Sequence, residues 1–290
     1  MQTAPECLPC LLEQAEATTR LVTSNARQHR EILAEAATLL SRLDPALSPP
    51  ENATAMYRLI ADRSGVADPY AAAKEESNAL AMGLRPTVRA KILAAADPLL
   101  AAIQYAMAGN VIDYGAHHDF DVEKILAACQ GREPVVNDYR ELRRELAAAR
   151  TVLYLADNCG ELVFDGLLIE QLHQEVTLAV KERPIINDAL ASDADACGLT
   201  RLARLVGNGT GCPGTPLASV SAEFRRLFDR ADLVISKGQG NFETLSECPR
   251  PLYFLLTVKC AVVARHLAER SGRPVAIGDT VLMKHQGAAV

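Results

Sequence analysis

The sequence predicts an α/β protein: an all-helical N-terminal domain over residues 1–105, then a layered α/β domain with a mostly parallel sheet over residues 106–290. Three observations predict it. Apolar residues recur at helical spacing through the N-terminal part. From residue 151 onward, short runs of β-formers alternate with helical segments, the pattern of a layered α/β domain. Aromatic residues make up only 4% of the chain, Trp is absent and alanine is abundant, which favours helix-rich packing.

The elements follow in order. A first helix opens at Cys7-Leu8-Pro9-Cys10 and gathers Leu11, Leu12, Ala15 and Thr19 on one face. In a second, Ile32, Leu33, Ala36, Ala37, Leu39 and Leu40 repeat at amphipathic intervals. Leu43-Asp44-Pro45 and Ser48-Pro49-Pro50 break the chain. Residues 56–61 and 71–82 continue as helices, with Asp68-Pro69 marking the start of the latter. Leu84-Arg85-Pro86 is expected to begin a separate helix, and Asp97-Pro98 another. Gly109-Asn110-Val111-Ile112-Asp113 reads as a turn and a short apolar step, and residues 122–128 and 139–149 as helices. Residues 151–156, Thr-Val-Leu-Tyr-Leu-Ala, have the continuous apolar character of a buried parallel strand. A helix over 164–172 and a strand over 175–180 follow. Residues 199–205 are ambiguous. A helix over 220–229, strands over 233–236 and 252–256, and a helix over 260–268 complete the alternation, with Val275-Ala276-Ile277 expected to end the sheet.

Composition narrows the function classes. A chain of 290 residues, 49% hydrophobic and 23% charged, can bury one large core or two smaller ones. A net charge of -6 gives no overall basic footprint for nucleic acid. No apolar run reaches the ~18 residues of a membrane span, and the polar N-terminus lacks a basic leader. The expectation is a cytoplasmic protein with no nucleic-acid or membrane partner and an open oligomeric state. In a reducing compartment the eight cysteines should be thiols, most of them small buried hydrophobes. Cys7 and Cys10 make half a zinc site with no second half. A structural pair, an accessory metal site and a redox pair all stay open for them. His117-His118 should be surface, since adjacent side chains diverge. His29, His173, His266 and His285 are isolated, and no Ser-His-Asp or Cys-His spacing is readable.

The chemistry concentrates at strand ends. Asp157-Asn158-Cys159-Gly160-Glu161 follows the strand at 151–156, and Ile185-Ile186-Asn187-Asp188 lies about thirty residues on. In open α/β sheets, ligands bind outside the carboxyl ends of the strands. An Asp157 carboxylate, an Asn158 amide oxygen and the Asp188 carboxylate would suit a hard divalent cation and a phosphate. The plainer alternative is helix capping, with Glu161 in a first turn. Ser236-Lys237-Gly238-Gln239-Gly240-Asn241 offers a lysine for phosphate oxygens and glycines that let backbone amides approach. The loop from Gly207 through Gly211 to Gly214 is a second source of backbone contacts. It is neither a P-loop nor a dinucleotide fingerprint, and no clear strand precedes it. Asn110 and Asp113 can add a polar wall. Asp193 and Asp195 are expected on a solvated face.

With these fragments in hand, the chain resembles the damage-control phosphatases. That family of metal-dependent phosphatases was long catalogued as a domain of unknown function, and some of its members have been described as acidic-residue methyltransferases. Six fragments in order carry the resemblance: Cys7-Leu8-Pro9-Cys10 with Leu11-Leu12, Gly109-Asn110-Val111-Ile112-Asp113, Asp157-Asn158-Cys159-Gly160-Glu161, Pro184-Ile185-Ile186-Asn187-Asp188, Pro213-Gly214-Thr215 and Lys237-Gly238-Gln239-Gly240-Asn241-Phe242-Glu243. The cysteine pair resembles the prokaryotic branch. The resemblance implies a helical N-terminal domain against a three-layer α/β/α domain. It implies a divalent metal (manganese, cobalt, nickel or magnesium) held at Asp157, Asn158 and Asp188, and hydrolysis of small phosphorylated metabolites, among them damaged or overflow sugar phosphates. Lys237 matches the family's phosphate-facing lysine. The chain departs from the pattern after Ala189, where Leu190 and Ser192 replace a threonine and an acidic residue.

The expected chemistry is metal-assisted phosphomonoester hydrolysis. Asp157 or Asp188 attacks or orients water, Glu161 supports them or moves a proton, and Lys237, Gly238, Asn241, Gly211, Gly214, Asn110 and Asp113 surround the substrate. Two rivals predict other behaviour. A carboxyl methyltransferase would bind S-adenosylmethionine, but no glycine-rich first turn with a downstream acidic ribose ligand is present. A non-catalytic metal or metabolite carrier would bind metal without turnover.

Overall fold

Helical periodicity followed by strand–helix alternation builds a mixed α/β structure, seen here in a computed structural model that describes residues 1–109 and 133–287. The expectations for Asn110, Asp113, His117-His118 and the helix at 122–128 lie outside the described residues. Five helices come first: α1 (Cys7–Val22), α2 (Ala26–Leu40), α3 (Pro49–Ser64), α4 (Ala71–Ala94) and α5 (Pro98–Ala108). Their ends follow local chemistry. The Asn25 side chain accepts from the Arg27 and Gln28 amides at the start of α2, and Asp97 accepts from Leu100 at the start of α5. The Glu51 carboxylate takes the Ser48 amide at 3.0 Å at the start of α3. The break expected at Pro86 is absent, and α4 runs through it as one helix. Proline removes one backbone hydrogen bond, but Leu84, Val88 and Ile92 are all buried and hold the second half in line with the first.

The remaining described strands and α-helices are β1 (Val136–Asn137), α6 (Tyr139–Ala148), β2 (Thr151–Leu155), α7 (Glu161–Ile169), β3 (Glu175–Val180), α8 (Ala191–Ala196), β4 (Arg204–Gly207), α9 (Ala222–Arg230), β5 (Leu233–Lys237), α10 (Gln239–Leu245), β6 (Leu252–Thr257), α11 (Ala261–Ser271) and β7 (Thr280–His285), with a 3-10 turn at Leu199–Arg201. One seven-stranded sheet has the order β1-β7-β6-β5-β2-β3-β4. Its pairings are parallel except β6 with β7. Two expectations are corrected here. Residues 275–277 do not form the last strand, which is β7. A strand, β4, does precede the Gly207 loop.

Alternation along β2 divides the interior into layers. Val152 and Tyr154 face a core built with α4, α5, α6 and α7. Leu153 and Leu155 face the opposite core, which holds Phe224 and Phe228 of α9, Phe242 of α10 and Val263 and Leu267 of α11. The sheet is therefore covered on both faces, as parallel strands require. Helices α1, α2 and α3 enclose a separate core with Ile32, Met56 and Ile60 at its centre, and Ile185 inserts into it. Residue 105 falls inside α5, and α5 packs against α7. Among the described residues no helix is long and apolar enough to cross a membrane.

Candidate active site

The order of strands fixes where a site belongs. From β2 the chain steps outward to β3 and β4, then returns to β5 on the other side of β2 and steps away to β6. The crevice outside the carboxyl ends of β2 and β5 is thus a topological switch point, the usual ligand position in such sheets. Asp157 follows β2 and Lys237 ends β5.

The two loops expected to share a cation are paired. An isolated bridge joins Asn158 to Asp188. Cys159 N–H donates to Asn187 O at 2.9 Å, and Ala189 N–H donates to Asp157 O at 2.9 Å. The second tip is anchored from outside the sheet. Ile185 and Ile186 pack on the α1–α3 core, and Ile186 takes φ 35, a conformation rare for a β-branched residue. Such local strain costs roughly 1–3 kcal/mol and survives only where surroundings impose it. Here the imposed result is a tight turn, with Asp188 N–H donating to Ile185 O at 3.1 Å.

Beneath the tips lies a buried charge cluster. The Asn158 Nδ2 donates to Asp157 Oδ2 and to Glu161 Oε1, each at 3.1 Å. Lys237 Nζ donates to Asp165 Oδ1 at 2.7 Å, Glu161 Oε2 at 3.1 Å and Ala106 O at 2.8 Å. Tyr154 O–H also donates to Asp165 Oδ1, at 2.7 Å. Lys181 Nζ donates to Gly214 O at 2.7 Å and lies 3.3 Å from Asp188 Oδ2, an ion-pair contact without hydrogen-bond geometry. Sequence reading passed over Lys181, Asp165 and Tyr154. A readable signal existed for Asp165, a charged residue one turn after Glu161 in a helix that is otherwise apolar and entirely buried.

Several expected phosphate contacts serve the interior instead. Lys237 is 1% exposed and its three protons are committed, so it sits under the carboxylates rather than facing a phosphate. The Gly238 amide donates to Leu255 O at 3.0 Å. Asn241 is fully buried: its Nδ2 donates to Ala156 O and Lys237 O, and its Oδ1 accepts from Thr215 Oγ1. It ties the ends of β2 and β5 to the 213–215 loop. Gly214 and Gly240 let that loop approach α10, since a Cβ on Gly240 would lie 1.8 Å from Pro213 O. Gly211 borders Arg183. Asp193 is not on a solvated face; its Oδ1 accepts from Asn78 and its Oδ2 from the Leu190 amide.

Burial sets the electrostatics. Desolvation, joined by the nearby Glu161 and Asp188 charges, holds the Asp157 carboxyl well above the usual range. Desolvation also lifts Asp188 from 3.8 to about 6, against the pull of Lys181. Asp165 is raised by burial and pulled back by Lys237, while Asp165 and Glu161 overcome desolvation to raise Lys237. The exposed Lys259 acts on both Asp157 and Asp188, lowering each. A carboxyl raised by folding stabilises the native state fully below its unfolded pKa, and that contribution is lost as pH rises through the folded pKa. In chelator, Asp188→Asn should therefore gain melting temperature relative to the parent between pH 5 and pH 7.5; the comparison cancels the opposite contribution of His266 and His285, whose pKa values burial lowers. Thermal denaturation of both proteins across that range checks it, and a parent–variant difference that stays constant from pH 5 to 7.5 contradicts it.

The residues fit a divalent cation. Asp157, Glu161, Asp165 and Asp188 set four carboxylates against the two ammonium groups of Lys181 and Lys237, which leaves two negative charges when all are ionised. Asp188 Oδ2 is buried with no hydrogen-bond partner. A Cβ on Gly238 would fall 2.0 Å from Asp157 Oδ2, so only glycine leaves that carboxylate its place. Among the described residues no three His, Cys, Asp or Glu side chains form a metal cluster; the set depends on one amide oxygen, that of Asn158. A cavity of about 940 Å³ opens at the other end of β2 and β3, lined by Thr151, Gln174 and Glu175. It holds none of these groups, and the buried charge cluster marks the site better than that volume does.

Comparison with known proteins places nearly the whole chain in one family. A model of the damage-control phosphatase ARMT1-like domain matches residues 3–275. The chain is 34% identical over 283 residues to a damage-control phosphatase of Pyrococcus horikoshii, covering 94% of this chain and 96% of that protein. It is 32% identical over 288 residues to a damage-control phosphatase of Archaeoglobus fulgidus, covering 95% and 99%. The crystal structure of a DUF89 family protein from Pyrococcus horikoshii superposes with a TM-score of 0.90 at 34% identity, covering 99% of this chain and 100% of that one.

Proposed function

Since the chain belongs to the damage-control phosphatase ARMT1-like family, we propose that it hydrolyses small phosphorylated metabolites at a divalent cation held by Asp157, Asn158 and Asp188. The observation that carries the assignment is the pairing of the two loop tips through Asn158 and Asp188, over a buried and under-neutralised set of carboxylates. Oxygen-only donors favour hard ions such as manganese and magnesium over thiophilic ones. The acidic net charge supports a small metabolite, not a nucleic acid, as partner.

When bound, the cation supplies neutralisation of the phosphoryl oxygens and orientation of the ester for in-line attack. The protein's own groups do the rest. Asn158 is held by Asp157 and Glu161, so its amide nitrogen is engaged and its oxygen is the atom left to serve as a ligand. Lys237 balances Glu161 and Asp165 and keeps both in place. Lys181 fixes Asp188 against the 213–215 loop. Lys259, not Lys237, is the cation we assign to the incoming phosphate, because it is exposed and its charge reaches both Asp157 and Asp188. Glu161 lies against Asn158 and Lys237 and is the candidate to move a proton at the attacked centre.

A panel of sugar and cofactor phosphates, assayed in chelator and then with manganese, cobalt, nickel or magnesium added singly, tests this reading. Turnover should vanish in chelator and return with a hard divalent ion. Full turnover in chelator, or none with any ion on any ester, would overturn it.

A further inference from the structure

Each ligand-bearing tip leads, two residues on, to the same polar pair, a buried Asn78 and a half-buried Asp193. Gly160 lies two residues after Asn158 and Leu190 two residues after Asp188. The Gly160 amide donates to Asn78 Oδ1 at 2.8 Å. The Leu190 amide donates to Asp193 Oδ2 at 2.9 Å. Asn78 closes the gap, its Nδ2 donating to Asp193 Oδ1 at 3.3 Å. Lys74, one helical turn before Asn78 on α4, stands 3.9 Å from Asp193 Oδ2 and 2.5 Å from Asp68 Oδ2. Lys74 and Asn78 occupy inward positions of α4, in the buried series Lys74, Ser77, Asn78, Ala81, Leu84, Val88 and Ile92. An amide and a lysine on such a face cost stability unless they are partnered; Lys74 is paired with Asp68, and Asn78 is bonded to Gly160 and Asp193.

We propose that Asn78, with Asp193, is a positioning residue that sets how the two ligand loops face each other. The inference rests on the metal-site reading above. The backbone bonds between the tips fix their separation but not the twist of the peptide that follows. Gly160 has φ 79 and immediately precedes α7, so the orientation of its peptide decides where Glu161 points. Glu161 in turn holds the Asn158 amide nitrogen, and thereby the direction of the Asn158 oxygen. On the other side, Asp193 pins Leu190 one residue beyond Ala189, whose amide is bonded to Asp157 O. The chain thus runs from one proposed ligand to the other through a side chain that touches neither. It also gives the helical N-terminal part a part in the site that its distance in sequence hides.

Outer-shell partners of this kind change metal affinity by about 10–100-fold when removed. The test uses full-length protein, a cobalt titration followed by visible absorption, and thermal melting as a check on folding. Asn78→Ala should bind cobalt about 10–100-fold more weakly than the parent, with an altered absorption band. Asn78→Asp and Asp193→Asn should each weaken binding, because each leaves one donor or acceptor without its mate. The double variant Asn78→Asp/Asp193→Asn restores the pattern with its polarity reversed. The new carboxylate accepts from Gly160 and from the new amide, whose oxygen accepts from Leu190. That variant should recover the parent's band and move affinity back toward the parent's. Parent-like cobalt binding by a folded Asn78→Ala protein overturns the proposal, as does a folded double variant no better than the singles. If Asn78→Ala does not fold, the exchange variants decide alone. If the parent and Asp188→Asn bind cobalt equally, the metal-site reading itself fails, an outcome distinct from failure of Asn78 alone.

Discussion

Asp188→Asn should lower ion-supported ester hydrolysis by about 100-fold or more, since a charged ligand counts for at least as much as its outer shell. The change is nearly isosteric. It leaves the turn at Ile185, the bridge to Asn158 and the bond from Lys181 to Gly214 O in place. What it removes is one negative charge at a fully buried position, and with it the ion-pair contact with Lys181. A hard dication loses a carboxylate and meets a neutral amide, a weaker ligand. The ion's stabilising effect on melting should shrink in the same variant, because binding to the native state alone raises stability with ligand concentration. Turnover of p-nitrophenyl phosphate over an ion titration, with ion binding by calorimetry, checks both. A folded Asp188→Asn protein with the parent's turnover and ion affinity would remove Asp188 from the site.

Gly238→Ala is the second large effect. Gly238 has φ 80, and a Cβ there would meet Asp157 Oδ2 at 2.0 Å and Cγ at 2.1 Å. No side chain keeps such contacts, so Asp157 must turn away or the start of α10 must shift. Either movement displaces a proposed ligand by about an ångström, which can cost on the order of 100-fold in rate. The Gly238 backbone, at φ 80 and ψ 164, is one that essentially only glycine adopts, and an alanine there adds strain of about 1–3 kcal/mol. Gly272→Ala is the comparison for positive-φ strain without a clash, because Gly272 has φ 67 and ψ 17 and no atom within 4 Å of the added Cβ. Gly272→Ala should lose some stability and keep its activity, whereas Gly238→Ala loses activity even below its melting temperature. Equal loss in both variants would mean backbone strain alone is at work.

Much of this arrangement was legible in the residues. Parallel strands covered on both faces read as unbroken apolar runs, so β2, β3, β5 and β6 and the loops at their carboxyl ends could be located, and with them Asp157, Asn158 and Asp188. Less was legible where structure depends on direction or on distant partners. Lys237 was expected to face phosphate because it was read as opening the glycine-rich loop after a strand ending at Ser236. Its parity says otherwise: Leu233 and Ile235 point into the core that contains α7, and Lys237 follows them to Asp165 and Glu161. Asn241 looked like a substrate contact because it sits in a glycine-rich loop, yet the short α10 turns its side chain inward to Ala156 O. The edge strand β4 is short and half exposed, with little apolar signal to read. In β7, Val281 and Met283 face one core and Leu282 the other, while Lys284 reaches Glu141 and Glu145 of α6; its apolar run is no longer than Val275-Ala276-Ile277, and only the antiparallel pairing with β6 tells the two apart. Asn78 was invisible for a different reason: its partners Gly160 and Asp193 lie 82 and 115 residues away. The only clue is polar residues on the inward face of α4.

The most direct measurement is anomalous diffraction from crystals grown with manganese. The account predicts one strong peak bounded by oxygens of Asp157, Asn158 and Asp188, lost in crystals of Asp188→Asn. A peak elsewhere, with those three side chains bonded only to protein, would contradict it.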